Sequence, residues 1–267
     1  MNGSLGAALD SIGLLGPGLG GWPQARAVLR GEQAYAHQPT LIPAPTTLPA
    51  AERRRSGRVV HLALAVGQEA TAGSGTDLTA LTTVFASSAA DSNNCHEILL
   101  TLASADRQLS PTRFHNSVHN VTAGYWSIAT RDLAPYTVVC AYDGSFAAGL
   151  LEALSLVASS ATDVLLVAYD VDYPTPLREK RPISDAFAVA LLLRPRTGPR
   201  SIGRLTASFA TAAADSMVSA RLEALRLSAP AARALSLLER VAAERSGASA
   251  LEYQANGSLV VEYLPCS

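Results

Sequence analysis

The sequence predicts an α/β protein built in layers, and three apolar runs are the main reason. The runs at 81–86, 137–142 and 163–170 are short, continuous and rich in β-branched residues, as in strands that are buried on both faces. Segments of helical length lie between them, bounded by Ser, Asn, Asp, Gly or Pro. We therefore expect helices on both sides of a sheet. The predicted helices cover 49–72, 92–106, 120–132 and 145–161.

The C-terminal third continues this alternation. The apolar run 183–193 is followed by a predicted strand near 201–210 and by a long helical stretch that breaks at Pro230. Asn256-Gly257 stands between two apolar runs and predicts a hairpin with a type I′ turn. We expect residues 196–267 to pack on the same core as the rest of the chain, adding two or three strands and a helix.

Length and composition are typical of a soluble globular protein, since 267 residues with 48% hydrophobic content can bury a large core. The formal net charge of -1 gives no basic surface for nucleic acid. Cys95, Cys140 and Cys266 are too few and too scattered for a disulfide framework or a CxxC metal site, which favours a reducing cytoplasm. No long apolar stretch and no basic N-terminal region occur, so we expect neither a membrane span nor export.

Two glycine-rich motifs invite a nucleotide-binding interpretation. GPGLGG (16–21) matches G-x-G-x-x-G, but a Pro-rich stretch at 37–49 stands where a second strand and an acidic residue should follow. AGSGT (72–76) lacks the lysine of a phosphate-binding loop. We interpret the first as a loop and the second as a helix C-cap.

Metal sites are also weakly indicated. His115 and His119 are four residues apart, with His96 as a distant third, but zinc needs at least three convergent ligands. Asp170 and Asp172 lie on the same side of a strand end and would suit a cation, but a solvated strand end is the favoured interpretation. We expect hydrogen-bonded histidines, no metal and no cofactor.

A positive run, ERRRSGR, lies at 52–58 in a predicted helix. Such runs usually form a solvated helix face, but an acidic partner such as an acyl carrier protein would be steered to it. The candidate docking residues are Arg53, Arg54, Arg55 and Arg58.

The stretch TVVCAYDGSFAAGLLEAL (137–154) is predicted to be a strand that turns directly into a helix. Strand alternation points Cys140 into the apolar core, where burial leaves a thiol inert. Asp143 stands at the helix entrance, where a role as N-cap is a sufficient explanation. Ser145 lacks the G-x-S-x-G frame. No histidine follows His119, so the usual downstream general base of a Ser or Cys site is missing.

Residues 119–170 resemble the β-ketoacyl-ACP synthases of the thiolase superfamily, with an Asn-x-x-Ala-Gly-x-x-Ser-Ile helix, a Pro-containing link and the nucleophile strand and turn. The residues in register are Asn120, Ala123, Gly124, Ser127, Ile128 and Pro135. In this register the family's nucleophilic cysteine falls on Asp143, and Cys140 is out of place. The resemblance extends over 10–195, so we take residues 1–195 as a β-ketoacyl synthase-like N-terminal domain.

The resemblance implies a thiolase-like layered αβα core, truncated in its C-terminal half. Family members place two catalytic histidines in that half, whereas this chain has no histidine there. The combination is most similar to the short chain-length-factor proteins found with aryl-polyene biosynthesis. It implies a non-catalytic partner of a full-length ketosynthase, in a heterodimer that elongates an acyl or polyene chain bound to acyl carrier protein.

The resemblance also implies where that partner is contacted, because the loop and helix before the nucleophile strand approach the partner's acyl tunnel in the family. The residues it places at the partner interface or the tunnel end are Arg113, Phe114, His115, Asn116, Val118, Asn120, Tyr125 and Trp126. Large side chains there would limit chain length sterically.

Two alternatives stay open from the sequence. The chain is either a divergent acyltransferase or condensing enzyme that uses Cys140 or Asp143, or a standalone homodimer that binds an acyl chain or carrier protein.

Overall fold

The computed structural model describes residues 5–266, in which eight strands form one mixed sheet. The strands are β1 (Leu5–Leu15), β2 (Thr82–Ala86), β3 (Tyr136–Val139), β4 (Val164–Asp170), β5 (Phe187–Arg194), β6 (Gly203–Ala210), β7 (Gly247–Gln254) and β8 (Gly257–Pro265). Their order across the sheet is β3-β2-β4-β5-β1-β6-β8-β7. β2 pairs in parallel with β3 and β4, and the other neighbouring pairs are antiparallel.

The connections between strands carry the helices. They are α1 (Trp22–Leu29), α2 (Ala50–Arg55), α3 (Arg58–Thr71), α4 (Ser92–Ala103), α5 (Pro111–His115), α6 (Val121–Thr130), α7 (Ser145–Ser160), α8 (Leu177–Lys180), α9 (Ala220–Ser228) and α10 (Leu235–Ala242). Short 3-10 turns lie at Leu78–Ala80, Tyr142–Gly144 and Pro230–Ala234. None of the helices within residues 5–266 has both the length and the apolar character needed to cross a membrane.

Helices cover both faces of the sheet, as the sequence predicts. α3 and α6 pack on one face, in an apolar cluster that includes Trp126, Phe85 and Tyr169. α1, α7 and α10 pack on the other face, in a second cluster that includes Phe146 and Leu166. β4 and β5 lie between the two clusters, which is why their sequences are continuous apolar runs. The architecture is a layered αβα core.

The helix α7 is largely buried and contacts strands from both ends of the sheet. It contacts β1, β2 and β4, and also β7 from the far end of the sheet. Gly149 allows a close approach to β2, because a Cβ there would come within 2.6 Å of the Ala86 Cβ. Residues from both halves of the chain therefore reach the N-terminal end of α7.

The three predicted N-terminal strands are present, but one differs in length and burial. β2 and β4 match the predicted runs at 81–86 and 163–170 closely. β3 ends at Val139 and its side chains are half-exposed or exposed, so the expected burial on both faces is wrong for this strand. The reason is its position at the edge of the sheet, which composition does not reveal.

The predicted helix over 49–72 is divided into α2 and α3. The break falls at Ser56, which has an extended backbone with ψ at 141°, and at Gly57. A Cβ at Gly57 would lie 2.7 Å from a carboxylate oxygen of Asp91, the N-cap of α4, so a larger residue would have to displace that side chain. The other three predicted helices correspond to α4, α6 and α7, whereas α1, α5 and α8 were not predicted.

The last three strands, β6, β7 and β8, extend the same sheet beyond β1, so that the expected division at residue 195 falls between two strands of one sheet. The helical stretch is interrupted at Pro230, as expected. β7 and β8 form the predicted hairpin, but the type I′ turn is wrong. The turn residues are Ala255 and Asn256, and neither has the positive φ that a type I′ turn requires.

Candidate functional site

The turn that leads into α7 is built by a short set of backbone contacts. After β3 ends, Tyr142 adopts a left-handed backbone with φ at 53°, and α7 begins at Ser145. The Ser145 hydroxyl donates to the Tyr142 carbonyl at 2.7 Å and accepts from the Ala141 N–H at 3.1 Å. Gly144 is required here, since a Cβ would lie 2.4 Å from the Tyr253 carbonyl oxygen of β7. The turn is therefore fixed from both halves of the chain.

Asp143 lies on this turn but does not cap α7, so the predicted N-cap role is wrong. The N-cap residue is Gly144, and it makes no side-chain capping bond. The Asp143 carboxylate instead accepts a hydrogen bond from Arg181 Nη2 at 2.6 Å, and the two side chains are 31% and 13% exposed. The carboxylate is turned towards a cation that reaches it from the segment after β4.

Arg181 contacts the same turn twice. Its guanidinium carbon lies 3.5 Å from the centroid of the Tyr142 ring, within the range of a cation–π contact. Burial lowers the pKa of Arg181, but the combined effect of the Asp143 charge and of Tyr173 and Tyr142 outweighs burial, so the pKa is raised. The guanidinium therefore stays charged at this site.

Asp170, the last residue of β4, is buried below the turn and joins three segments. Its Oδ1 accepts from the Ser88 N–H at 3.0 Å and from the Ser88 hydroxyl at 2.6 Å, and its Oδ2 accepts from the Ala231 N–H at 2.8 Å. Burial raises the pKa of Asp170 to about 6, because these hydrogen bonds offset only part of the desolvation. Asp172 instead forms an ion pair with Arg58. The two aspartates therefore share no cation site, and the expected solvated strand end is wrong.

Cys140 is exposed, so the predicted core thiol is wrong. The strand ends one residue before it, and the turn carries its side chain outward. Its Sγ lies 3.2 Å from the Ser88 carbonyl oxygen. Among the hydrogen bonds of residues 5–266, none joins Cys140 to a histidine. Within residues 5–266, the hydrogen-bond contact of the thiol is therefore to a backbone carbonyl and not to an imidazole.

A cleft of about 810 Å³ opens beside the turn. It is lined by residues 141–144, 211–214 and 252–258, the last range being the β7–β8 turn with its flanks. Its two carboxylates are both paired, Asp143 with Arg181 and Glu252 with Arg233 at 3.2 Å. The cleft therefore offers no free charge from either side chain.

A second cleft, of about 490 Å³, separates α5 from α6. Five of the expected interface residues line it, namely Phe114, His115, Val118, Asn120 and Tyr125. Phe114 and Val118 are 67% and 50% exposed, and Ile128 beside them is 46% exposed. The Asn120 side chain donates to the Tyr136 hydroxyl at 3.1 Å and so links this cleft to β3.

The remaining expected interface residues behave differently. Trp126 is 1% exposed and packs edge-on against Phe85 and over Gly67, so the expectation of an interface or tunnel-end role is wrong. It supports α6 from inside the core. Asn116 is also buried and donates to the Arg55 carbonyl at 2.7 Å. Arg113 is exposed and pairs with Glu97 at 3.4 Å.

The positive run at 52–58 is partly neutralised. Arg55 pairs with Glu52 at 3.4 Å, and Arg58 pairs with Asp172 and with Asp185. Within the described part of the chain, Arg53 and Arg54 have no ion-pair partner. These two are the cations of the run that remain available to an acidic partner.

The histidines and the glycine-rich motif supply no ligand site. Within residues 5–266, no three His, Cys, Asp or Glu side chains come together as metal ligands. GPGLGG (16–21) forms the turn between β1 and α1, as the loop interpretation predicts. The first amide of α1, that of Trp22, donates to Glu69 at 2.6 Å. A carboxylate of the protein itself thus occupies the position where a pyrophosphate would bind.

The two outer edges of the sheet are unequal. At β7, the backbone of Ala250 is bonded by Asp215, whose N–H donates to the Ala250 carbonyl at 2.9 Å. At β3, the backbone hydrogen bonds found in residues 5–266 run only to β2 and to Ser87, which directly follows it. β3 is therefore an open edge beside the apolar cleft.

The family follows from one comparison. The model of the family described as "Beta-ketoacyl synthase, N-terminal domain" matches residues 22–255. The chain belongs to this family. No curated protein sequence matches it.

Solved structures of β-ketoacyl synthases and their partners have the same fold. A chain of the complex between the ketosynthase ApeO and its chain length factor ApeC from Xenorhabdus doucetiae is 22% identical, with a TM-score of 0.74 over 97% of this chain and 99% of that chain. A chain of the ishigamide ketosynthase/chain length factor is 12% identical, with a TM-score of 0.73 over 98% and 99%. A chain of AntDE:AntF, a type II PKS acyl-carrier protein with its ketosynthase, is 9% identical, with a TM-score of 0.74 over 99% and 100%. This similarity establishes the thiolase-like ketosynthase fold.

Arg181 is the residue of the candidate site that sequence reasoning missed. It lies in YPTPLREKRP, which has no regular pattern, and it is 38 residues from the aspartate it binds. The available signal was indirect. A carboxylate on a partly buried turn needs a cation, and the nearest arginines after β4 were the candidates.

Proposed function

We propose that this chain is a non-catalytic subunit of the chain-length-factor type, which pairs with an active β-ketoacyl-ACP synthase and shapes its acyl tunnel. The observation that carries the proposal is the ion-paired Asp143 at the entrance of α7, where the family resemblance places the cysteine nucleophile.

The chemistry of acyl transfer supports a non-catalytic role. Claisen condensation needs a thiolate to hold the acyl group and donors to stabilise the enolate and the oxyanion. A carboxylate that attacked a thioester would give an anhydride, and the Asp143 carboxylate already accepts a charged hydrogen bond from Arg181. The sequence contains no imidazole after His119 to act as donor or base.

The open edge at β3 supports pairing with another chain. Thr137 and Val139 face β2, because the backbone groups of alternate residues in a strand point to opposite sides. The N–H and C=O groups of Tyr136 and Val138 therefore point away from the sheet. An unpaired strand edge of this kind binds a strand of a partner by main-chain hydrogen bonds.

The apolar surface next to that edge supports the same face as the interface. Phe114, Val118 and Ile128 are exposed around the cleft between α5 and α6, and Leu133 just before β3 is 93% exposed. Exposed apolar groups clustered in this way mark protein interaction sites. In the proposed complex, these side chains close the far end of the partner's acyl tunnel.

The carrier protein would approach the complex from the side of α2. Arg53 and Arg54 are the free cations of the positive run, with Arg55 beside them, and an acidic carrier protein would be attracted to them. Arg58 is excluded from this proposed docking set because two aspartates already neutralise it.

The proposal is tested by co-expressing the chain with a full-length β-ketoacyl synthase of the same organism and separating the products by size-exclusion chromatography. We expect a stable one-to-one complex. A chain that elutes alone, or only as a homodimer, beside a folded synthase would contradict the proposed pairing.

A further inference from the structure

The segment between β4 and β5 crosses beside the entrance of α7. It is anchored at Tyr173 and Ile183, which are both buried, and the Tyr173 N–H donates to the Ile183 carbonyl at 3.0 Å. Between these anchors, residues 175–180 are exposed and include only the four-residue helix α8. We call residues 174–182 the strap.

Arg181 is the side chain through which the strap contacts the turn before α7. Its guanidinium donates to Asp143 at 2.6 Å and lies over the ring of Tyr142 at 3.5 Å. The arginine side chain is 13% exposed, although its neighbours Lys180 and Pro182 are exposed. One inward-pointing cation on an exposed segment therefore makes two contacts with two adjacent residues.

The contacted turn has a strained backbone at Tyr142, which the contact with Arg181 helps to hold in place. A left-handed backbone is unfavourable for a residue with a side chain such as Tyr142 and persists only where neighbouring contacts hold it. The stack with Arg181 covers one side of the tyrosine ring, while the side chain remains 65% exposed. The charge of Asp143 then fixes the guanidinium in the plane that permits the stack.

We propose that Arg181 is a latch that fastens the strap to the turn 142–144. In this proposal the role of Asp143 is to bind Arg181 and so to hold the strap against the turn. Releasing the latch would free the strap between Tyr173 and Ile183 without disturbing β4 or β5. The latch acts within this chain, so the proposal stands whether or not the chain pairs with a synthase.

Hydrogen–deuterium exchange of the full chain tests the latch. We expect amides in residues 174–182 to exchange at least tenfold faster in Arg181→Ala than in the unmodified chain. Arg178→Ala, on the exposed face of α8, is the matched control and should change the rate less than twofold. Equal exchange in Arg181→Ala and the unmodified chain would overturn the proposal.

Two further variants separate the ion pair from simple packing. Asp143→Asn keeps the shape of the side chain but removes its charge, and it should also speed amide exchange in the strap several-fold. This variant replaces Arg181→Ala in the test if Arg181→Ala fails to fold. The charge swap Asp143→Arg with Arg181→Asp should recover at least half of the lost protection. If the strap amides of the charge-swapped variant exchange as fast as those of Arg181→Ala, the strap is held by packing of the arginine side chain and not by the ion pair. This result would overturn the latch.

Discussion

Replacing Asp170 with Asn tests whether the buried carboxyl at the end of β4 weakens the fold at neutral pH. The carboxyl joins Ser88, which follows β2, to Ala231 in the 3-10 turn over α7, so it holds the two halves of the chain together below the site. Asn has the shape of the protonated acid and cannot ionise. The difference in unfolding free energy between the two proteins therefore isolates the ionisation of Asp170.

The expected magnitude follows from the pKa, which burial raises from 3.8 to about 6. This rise corresponds to about 3 kcal/mol, at about 1.4 kcal/mol per tenfold change in proton affinity. Between these two pH values the folded chain binds more protons than the unfolded chain, so stability falls as pH rises. The contribution is fully present below pH 3.8 and is lost as pH passes about 6.

Urea unfolding followed by tryptophan fluorescence at a series of pH values from about 4 to 8 measures this difference. We expect the unfolding free energy of the unmodified chain, minus that of Asp170→Asn, to decrease by about 3 kcal/mol across the series and to level off above pH 7. Ser88→Ala should move the fall to higher pH, because it removes a donor to the carboxylate. A difference that increases with pH would show that hydrogen bonding outweighs desolvation and would refute the reasoning.

Three further predictions concern the interface and the core. Val118→Asp should weaken binding to the partner synthase by about 100-fold, as expected for an apolar contact at the centre of an interface. Val218→Asp, at a valine outside that cleft that is 98% exposed against 50% for Val118, should leave the affinity unchanged in calorimetry. Equal losses in both variants would argue against the α5–α6 face. Trp126→Ala should lower the unfolding free energy by about 3–5 kcal/mol, because the indole is buried between α3 and β2; a loss of partner binding with unchanged stability would return this residue to the interface. Gly149→Ala should lower the unfolding free energy by about 1–3 kcal/mol despite the better helix propensity of alanine, because the new methyl would collide with Ala86. An increase in melting temperature would contradict the close packing of α7 on β2.

The fold could be predicted from the sequence where one local pattern decides the structure. The continuous apolar runs of β4 and β5 require burial on both faces, and the breaks at Pro230 and at the β7–β8 turn are local. β3 has a similar composition but lies at the sheet edge. Neighbours in a sheet are set by contacts that are distant in sequence, so its exposure, and with it that of Cys140, could not be inferred.

The candidate site shows the same division. The strand, the turn and Asp143 at the entrance of α7 follow from adjacent residues. The choice between a capping bond to the helix and an ion pair with Arg181 depends on a segment that returns to the turn only in the folded chain. Trp126 likewise looked like an interface residue from its place in the motif, but the face of α6 that packs on α3 and β2 is decided by the sheet beneath it.

The central claim is that this chain carries no acyl group during condensation. Its most direct test is intact-mass spectrometry of the purified chain and its partner synthase after incubation with an acyl carrier protein loaded with a long-chain acyl thioester. We expect an acyl adduct on the partner and an unchanged mass for this chain. A stoichiometric adduct on this chain, mapped to Asp143 or Cys140 and lost when that residue is replaced by Ala, would contradict the account.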